Sequence, residues 1–249
     1  MTEKPIHFLT FGPHPDDAEI GTGAFLLKMK GLGYRTGMVI LTEGEMGAGT
    51  PEIRQKETQQ AAKDLKLDVI EILDLGDTQM EDNHQNRIRV ASVVRKYRPQ
   101  VVLAPYYGLE PSRGRGHSDH IVCGHLVTHG TNFAHLEKYP AEGRAHAVKK
   151  MFYYFLPPFM RPTFIVPVDE EFPQAIQALA NHKSQFDRAD RPKVFPTRLE
   201  AFGAYFGALV GAKYGQGFYV QDPLRIEDPL PLFSAEPIVA RQGMKAEGT

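Results

Sequence analysis

The sequence predicts an α/β protein with a Rossmann-like, mostly parallel sheet flanked by helices, and three observations carry that prediction. Short apolar runs alternate with helix-period segments through the first 135 residues, the rhythm of repeated βαβ units. With 249 residues, 42% of them hydrophobic, the chain is long enough for one substantial domain with a buried core. The first apolar run leads directly into His14-Pro15-Asp16-Asp17, a polar strand-to-helix turn of the kind that lines the ligand crevice of an open parallel sheet.

The strands expected in order are Ile6–Phe11, Gly37–Leu41, Val69–Leu73 and Val101–Ala104. Between them lie helices at about 20–32, 51–65 and 85–97. Gly31 and Gly33 mark the end of the first, and Pro51 opens the second at the turn that tolerates its missing N–H. A fourth helix is expected over 119–133. Beyond it the pattern changes: strands at Met151–Phe155 and Thr163–Val168 are separated by Pro157, Pro158 and Pro162, which suit an edge or a hairpin-like excursion. Helices over 170–185 and 197–214 follow. The prolines at 223, 229, 231 and 237 then predict an extended arm. No repeat or interdomain linker interrupts the chain, so one domain is expected over 1–233, with a C-terminal tail over 234–249.

A net charge of -1 gives no footprint for nucleic acid or an anionic membrane, and a small-molecule substrate is expected. No apolar run approaches the roughly 20 residues of a membrane span, and Met1–Pro5 lead straight into a strand, so a cytoplasmic protein is expected. The one cysteine, Cys123, excludes an internal disulfide and fits a reducing compartment. Within a helix it reads as a small buried residue rather than a reactive thiol.

Two clusters carry the chemistry. His14 and Asp17, three positions apart on a turn entering a helix, can reach one ion, and His120 of His117-Ser118-Asp119-His120 completes three ligands. Three protein ligands leave a place for water, which zinc activates at neutral pH. Asp16 is then available as general base, and His117, with Asp119 beside it, as the group facing a developing oxyanion. Taken singly, Asp16 reads as a helix N-cap and a lone histidine as turn material. Their joint placement on two βα loops of one sheet favours a zinc hydrolase. The loop 42–50, rich in glycine, can wall the same crevice. Arg54 can fork onto a substrate oxygen, against the plainer reading of an intrahelical pair with Glu57 or Thr58. Arg113 and Arg115 lie on a flap-like segment before His117. Gly21-Thr22-Gly23 lacks the third glycine of a dinucleotide fingerprint, and Asp16, Asp17 and Glu19 would repel a pyrophosphate. Phe152-Tyr153-Tyr154-Phe155 reads as core strand.

These residues resemble the PIG-L/LmbE family of zinc-dependent N-acetylglucosaminide deacetylases. Pro13-His14-Pro15-Asp16-Asp17-Ala18-Glu19 resembles its Ala-His-Pro-Asp-Asp-Glu motif, with Pro13 in place of alanine, and His117-Ser118-Asp119-His120 its His-Pro-Asp-His, with Ser118 in place of proline. The segment 50–57 resembles the family's Glu-x-x-Arg-x-x-Glu, and His182-Lys183-Ser184-Gln185 a late Ser-Gln segment. The resemblance spans about residues 6–233. It implies zinc on His14, Asp17 and His120, with iron(II) an alternative metal. Asp16 would be the base, His117 oriented by Asp119 the oxyanion partner, and Arg54 a substrate contact. Pro105-Tyr106-Tyr107 and the Ser-Gln-Phe stretch at Ser184 resemble the branch acting on N-acetylglucosaminyl malate in bacillithiol biosynthesis. Another N-acetylated sugar, such as a chito-oligosaccharide or antibiotic precursor, is the alternative substrate, and a non-catalytic Rossmann-like binding module the alternative class. Family members suggest a homo-oligomer, trimer or hexamer.

Overall fold

The computed structural model describes residues 5–108, 117–158, 160–187, 195–229 and 232. The expected arm and tail beyond Asp222 fall mostly outside these residues, and the Arg113/Arg115 segment wholly outside. Five parallel strands, β1 (Phe8–Gly12), β2 (Thr36–Ile40), β3 (Val69–Ile72), β4 (Val101–Pro105) and β5 (Lys150–Tyr154), form one sheet in the order β3-β2-β1-β4-β5. Alternate residues of each strand face opposite layers. Leu9, Phe11, Val39, Val102 and Ala104 pack under α3 (His84–Tyr97) and α4 (Ser118–Phe133). Met38, Ile40 and Leu103 pack under α1 (Asp17–Gly31) and α5 (Glu171–Leu179). Burial on both faces explains why these strands read as unbroken apolar runs.

The expected elements recur with shifted ends. Helix α2 spans Pro51–Asp64, with Pro51 in its first turn and Thr50 capping it through a bond from the Ile53 N–H. The helix expected over 170–185 breaks in two, α5 and the short α6 (Lys183–Phe186), at His182. The break has a tertiary cause, since the buried His182 ring is held by Glu19 of α1. Helix α7 (Phe195–Ala208) stops six residues earlier than expected, before Gly211 at φ +73°. The strand expected at 163–168 is β6 (Phe164–Pro167), which leaves the main sheet and pairs antiparallel with β7 (Gly215–Phe218). Two glycines in its four residues hide β7 from a propensity reading.

Cys123 is fully buried in α4, as expected, and burial pushes its thiol up. No helix among the described residues is long and apolar enough to cross a membrane.

Candidate metal centre and active site

Strand β1 lies between β2, which precedes α2, and β4, which precedes α4. The strand order therefore reverses direction between β1 and β4, and the crevice beyond their carboxyl ends is where an open parallel sheet binds ligands. The two clusters stand on the two loops that flank this point.

Asp17, in the first turn of α1, is 7% exposed and faces two imidazoles. Its Oδ2 lies 2.9 Å from His14 Nδ1 and its Oδ1 3.2 Å from His120 Nε2. Burial opposes its charge, but the His120 and His14 contacts outweigh burial and hold the carboxyl far below the usual range. The other face of His14 meets two more carboxylates, Asp119 Oδ2 at 3.0 Å and Asp77 Oδ1 at 3.1 Å from Nε2. Burial alone would lower the His14 pKa; Asp119, Asp17 and Asp77 instead drive it up to about 12.

That electrostatic imbalance, three carboxylates around one imidazole, fits a resident cation. Two donor sets converge within 4.8 Å, His14/Asp17/His120 and His14/His117/Asp119. The first fits better. Asp119 Oδ2 already accepts the Thr78 N–H at 2.8 Å and contacts His14 Nε2, so it acts as the outer carboxylate that orients a ligating imidazole. With Asp119 and Asp77 on Nε2, His14 Nδ1 is the nitrogen turned toward Asp17.

Asp16 has φ +106°, a strained value for a residue with a side chain, and makes no cap hydrogen bond although it occupies the N-cap position of α1. Its carboxyl is pushed up to about 7, by burial first and by the Asp17 charge second, while His182 and Arg54 act in the opposite sense. The N-cap reading therefore gives no account of Asp16. His117 is exposed at the N-terminus of α4, with its ring nearly perpendicular to His14 at 4.9 Å between centroids. Its Nδ1 accepts the Asp119 backbone N–H at 3.3 Å, a tautomer that leaves the proton on Nε2. The Asp119 carboxylate lies within 4.8 Å of a His117 ring nitrogen and is hydrogen-bonded to His14. His120 stacks on Phe155, 13° from parallel at 5.3 Å.

Arg54 is buried, and its guanidinium donates to Gly44 O at 2.8 Å and Pro15 O at 2.7 Å. It thus bolts the glycine loop to the His14–Asp17 turn. The intrahelical pair with Glu57 is not formed, since Glu57 accepts the Ser184 N–H at 2.8 Å and O–H at 2.6 Å, and Arg54 Nε has no hydrogen-bond partner among the described residues. Gln185 donates to Ala48 O at 2.6 Å, and His182 Nε2 meets Glu19 Oε1 at 3.0 Å. The segment 182–185 is thereby tied to α1, α2 and the glycine loop. Asp77, Glu19 and His182 received no role from the sequence. Asp77 does sit on the loop after β3, at the same edge of the sheet as both clusters, and position on that edge was the available signal.

An open parallel sheet with an acidic, imidazole-rich pocket at its switch point defines an α/β protein with a candidate metal site. Residues 9–130 match the PIG-L model, described as GlcNAc-PI de-N-acetylase. The chain belongs to the PIG-L family. A diacetylchitobiose deacetylase of Thermococcus kodakarensis is 28% identical over 84% of this chain and 80% of its own. A conserved protein of Thermus thermophilus, TT1542, superposes with TM-score 0.80 at 33% identity, over 89% of this chain and 97% of its own. A 4-carboxy-2-hydroxymuconate hydratase of Pseudomonas putida has the same fold at 20% identity and TM-score 0.72, over 90% of this chain and 99% of its own. The fold by itself therefore does not fix the reaction, and the site must.

Proposed function

We propose that the protein is a zinc-dependent N-deacetylase acting on N-acetylglucosamine-type sugars. The observation that carries this reading is the convergence of the His14, Asp17 and His120 donors across the β1/β4 switch point, with Asp16 and His117 adjoining them. His14, Asp17 and His120 would hold a divalent cation, which when bound would supply Lewis-acid chemistry at the reacting centre. Asp16, with its carboxyl poised near neutrality, takes the proton of the attacking water. His117 Nε2–H donates to the carbonyl oxygen as negative charge develops there. As the C–N bond breaks, the protonated Asp16 returns its proton to the departing amine, so acetate and a free amino sugar result.

Within this class the sequence motifs favour N-acetylglucosaminyl malate, and the Thermococcus relative favours a diacetylchitobiose-type substrate. Arg54 supports neither, because its guanidinium already spans two backbone carbonyls. The deciding experiment measures primary-amine release from N-acetylglucosaminyl malate, diacetylchitobiose and N-acetylglucosamine, with protein stripped of metal and then reloaded with zinc or iron(II). Release only after reloading is expected, and the preferred sugar names the branch. A fully metal-loaded protein inert toward all three overturns the deacetylase reading. Asp16→Asn is expected to retain metal while losing about 10²- to 10⁴-fold in kcat.

A further inference from the structure

A cavity of about 510 Å³ lies between α1, α5 and α7, and its walls include Asp17 and His120. Its remaining walls are mainly apolar, with Phe155, Leu156, Phe172, Ile176, Leu199 and Phe206 prominent among them. Most of the polar atoms there are engaged with the protein itself. Gln216 accepts the Phe25 N–H at 2.6 Å and donates to Gly21 O at 3.2 Å. Glu19 Oε1 is held by His182, while its Oε2 is buried with no hydrogen-bond partner among the described residues. Apart from the exposed Arg198, the cavity offers few hydrogen-bonding groups to a ligand. A sugar ring placed in it would leave hydroxyls unpaired, at a cost an apolar group avoids.

Given the deacetylase reading, on which this inference rests, we propose that the cavity is an acyl-chain subsite and that the enzyme hydrolyses N-acyl amino sugars with chains well beyond acetyl. A methyl group needs about the volume of one water, roughly 30 Å³, so acetyl alone would leave most of this space unused. The acyl side of the amide is favoured over the aglycone because the cavity reaches two of the residues that would hold the metal, Asp17 and His120. A group in contact with them lies within a bond or two of the reacting carbonyl, whereas an aglycone is removed by part of the sugar ring.

The test compares zinc-loaded enzyme on N-acetyl-, N-butanoyl-, N-hexanoyl- and N-octanoyl-glucosamine, and on octyl N-acetylglucosaminide, by amine release. In parallel, calorimetry measures binding of N-octanoylglucosamine to the wild-type protein and to the Ile176→Trp and Leu199→Trp variants, either of which narrows the cavity. The expected result is kcat/KM rising with acyl length, by up to roughly fourfold per buried methylene. Both tryptophan variants should flatten that rise and weaken octanoyl binding, and folding of each is checked by its thermal transition. Acetyl hydrolysis with hexanoyl and octanoyl compounds no better than acetyl overturns the subsite and leaves the deacetylase reading intact. A gain confined to the octyl glycoside likewise overturns it, by assigning the cavity to the aglycone. Octanoyl binding that both variants abolish, with no hydrolysis of any compound, keeps the cavity as an acyl site and removes the deacetylase reading.

Discussion

His14 has a carboxylate at each ring nitrogen, and the division between them assigns the roles around it. Asp17 at Nδ1 shares the proposed ion, whereas Asp119 and Asp77 at Nε2 orient the ring. Three substitutions separate these jobs. His14→Ala should abolish stoichiometric zinc binding. Asp119→Asn should weaken it by about 10- to 100-fold, the usual effect of losing an outer carboxylate on a ligating histidine. His117→Ala should leave metal affinity unchanged and lower kcat, since His117 belongs to the competing donor set rather than the favoured one. Calorimetric titration of these three variants and of His120→Ala decides the matter. Loss of metal in His117→Ala together with its retention in His120→Ala would mean that the ion sits on His14, His117 and Asp119.

The short helix α6 owes its place to contacts with three other parts of the chain. Glu57 of α2 accepts two hydrogen bonds from Ser184, so Glu57→Ala leaves a half-buried O–H donor and a backbone N–H without that partner and should destabilise the fold by about 1–3 kcal/mol. Thermal unfolding of the metal-loaded variant measures this. An unchanged transition temperature would show that α6 is not held through Glu57. The same contacts explain what could be read from the chain alone. The five parallel strands and the helices between them follow from local periodicity, because each buried face repeats within its own segment. The His14–Asp17 and His117–His120 turns were readable for a related reason, since each is a short cluster that ends an apolar run. The break at His182, the pairing of β7 with β6 and the burial of Arg54 depend on partners more than 30 residues away in sequence: Glu19, Phe164–Pro167 and Pro15. No local pattern encodes such partners. The turn of the Asp119 carboxylate toward His14 was hidden likewise, because sequence adjacency pointed to His117 while the fold brings the β1 loop closer.

The two-sided core holds the sheet, but the loops at its carboxyl edge gather Asp16, Asp17, Asp77 and Asp119 around two half-buried imidazoles, and the balance of that charge links stability to pH. Without metal a proton on His14 balances part of that charge, since its pKa rises from 6.5 to about 12 on folding. A group with a raised folded pKa contributes its full stability below the unfolded value and loses it as pH rises through the folded one. Metal-free protein should therefore lose stability steadily above about pH 6.5, by at most about 1.4 kcal/mol per pH unit from this group. Metal binding runs the other way, since the ion displaces that proton and binds more tightly as pH rises. At 100 times its dissociation constant the ion adds about 2.7 kcal/mol, which for a chain of this size raises Tm by roughly 5–10 °C. The difference in Tm between zinc-loaded and stripped protein should thus widen from pH 6.5 to pH 8.5, and His14→Ala should erase both the difference and its pH dependence. A difference that stays constant across this range would place the displaced proton somewhere other than His14, and with it the centre of the metal site.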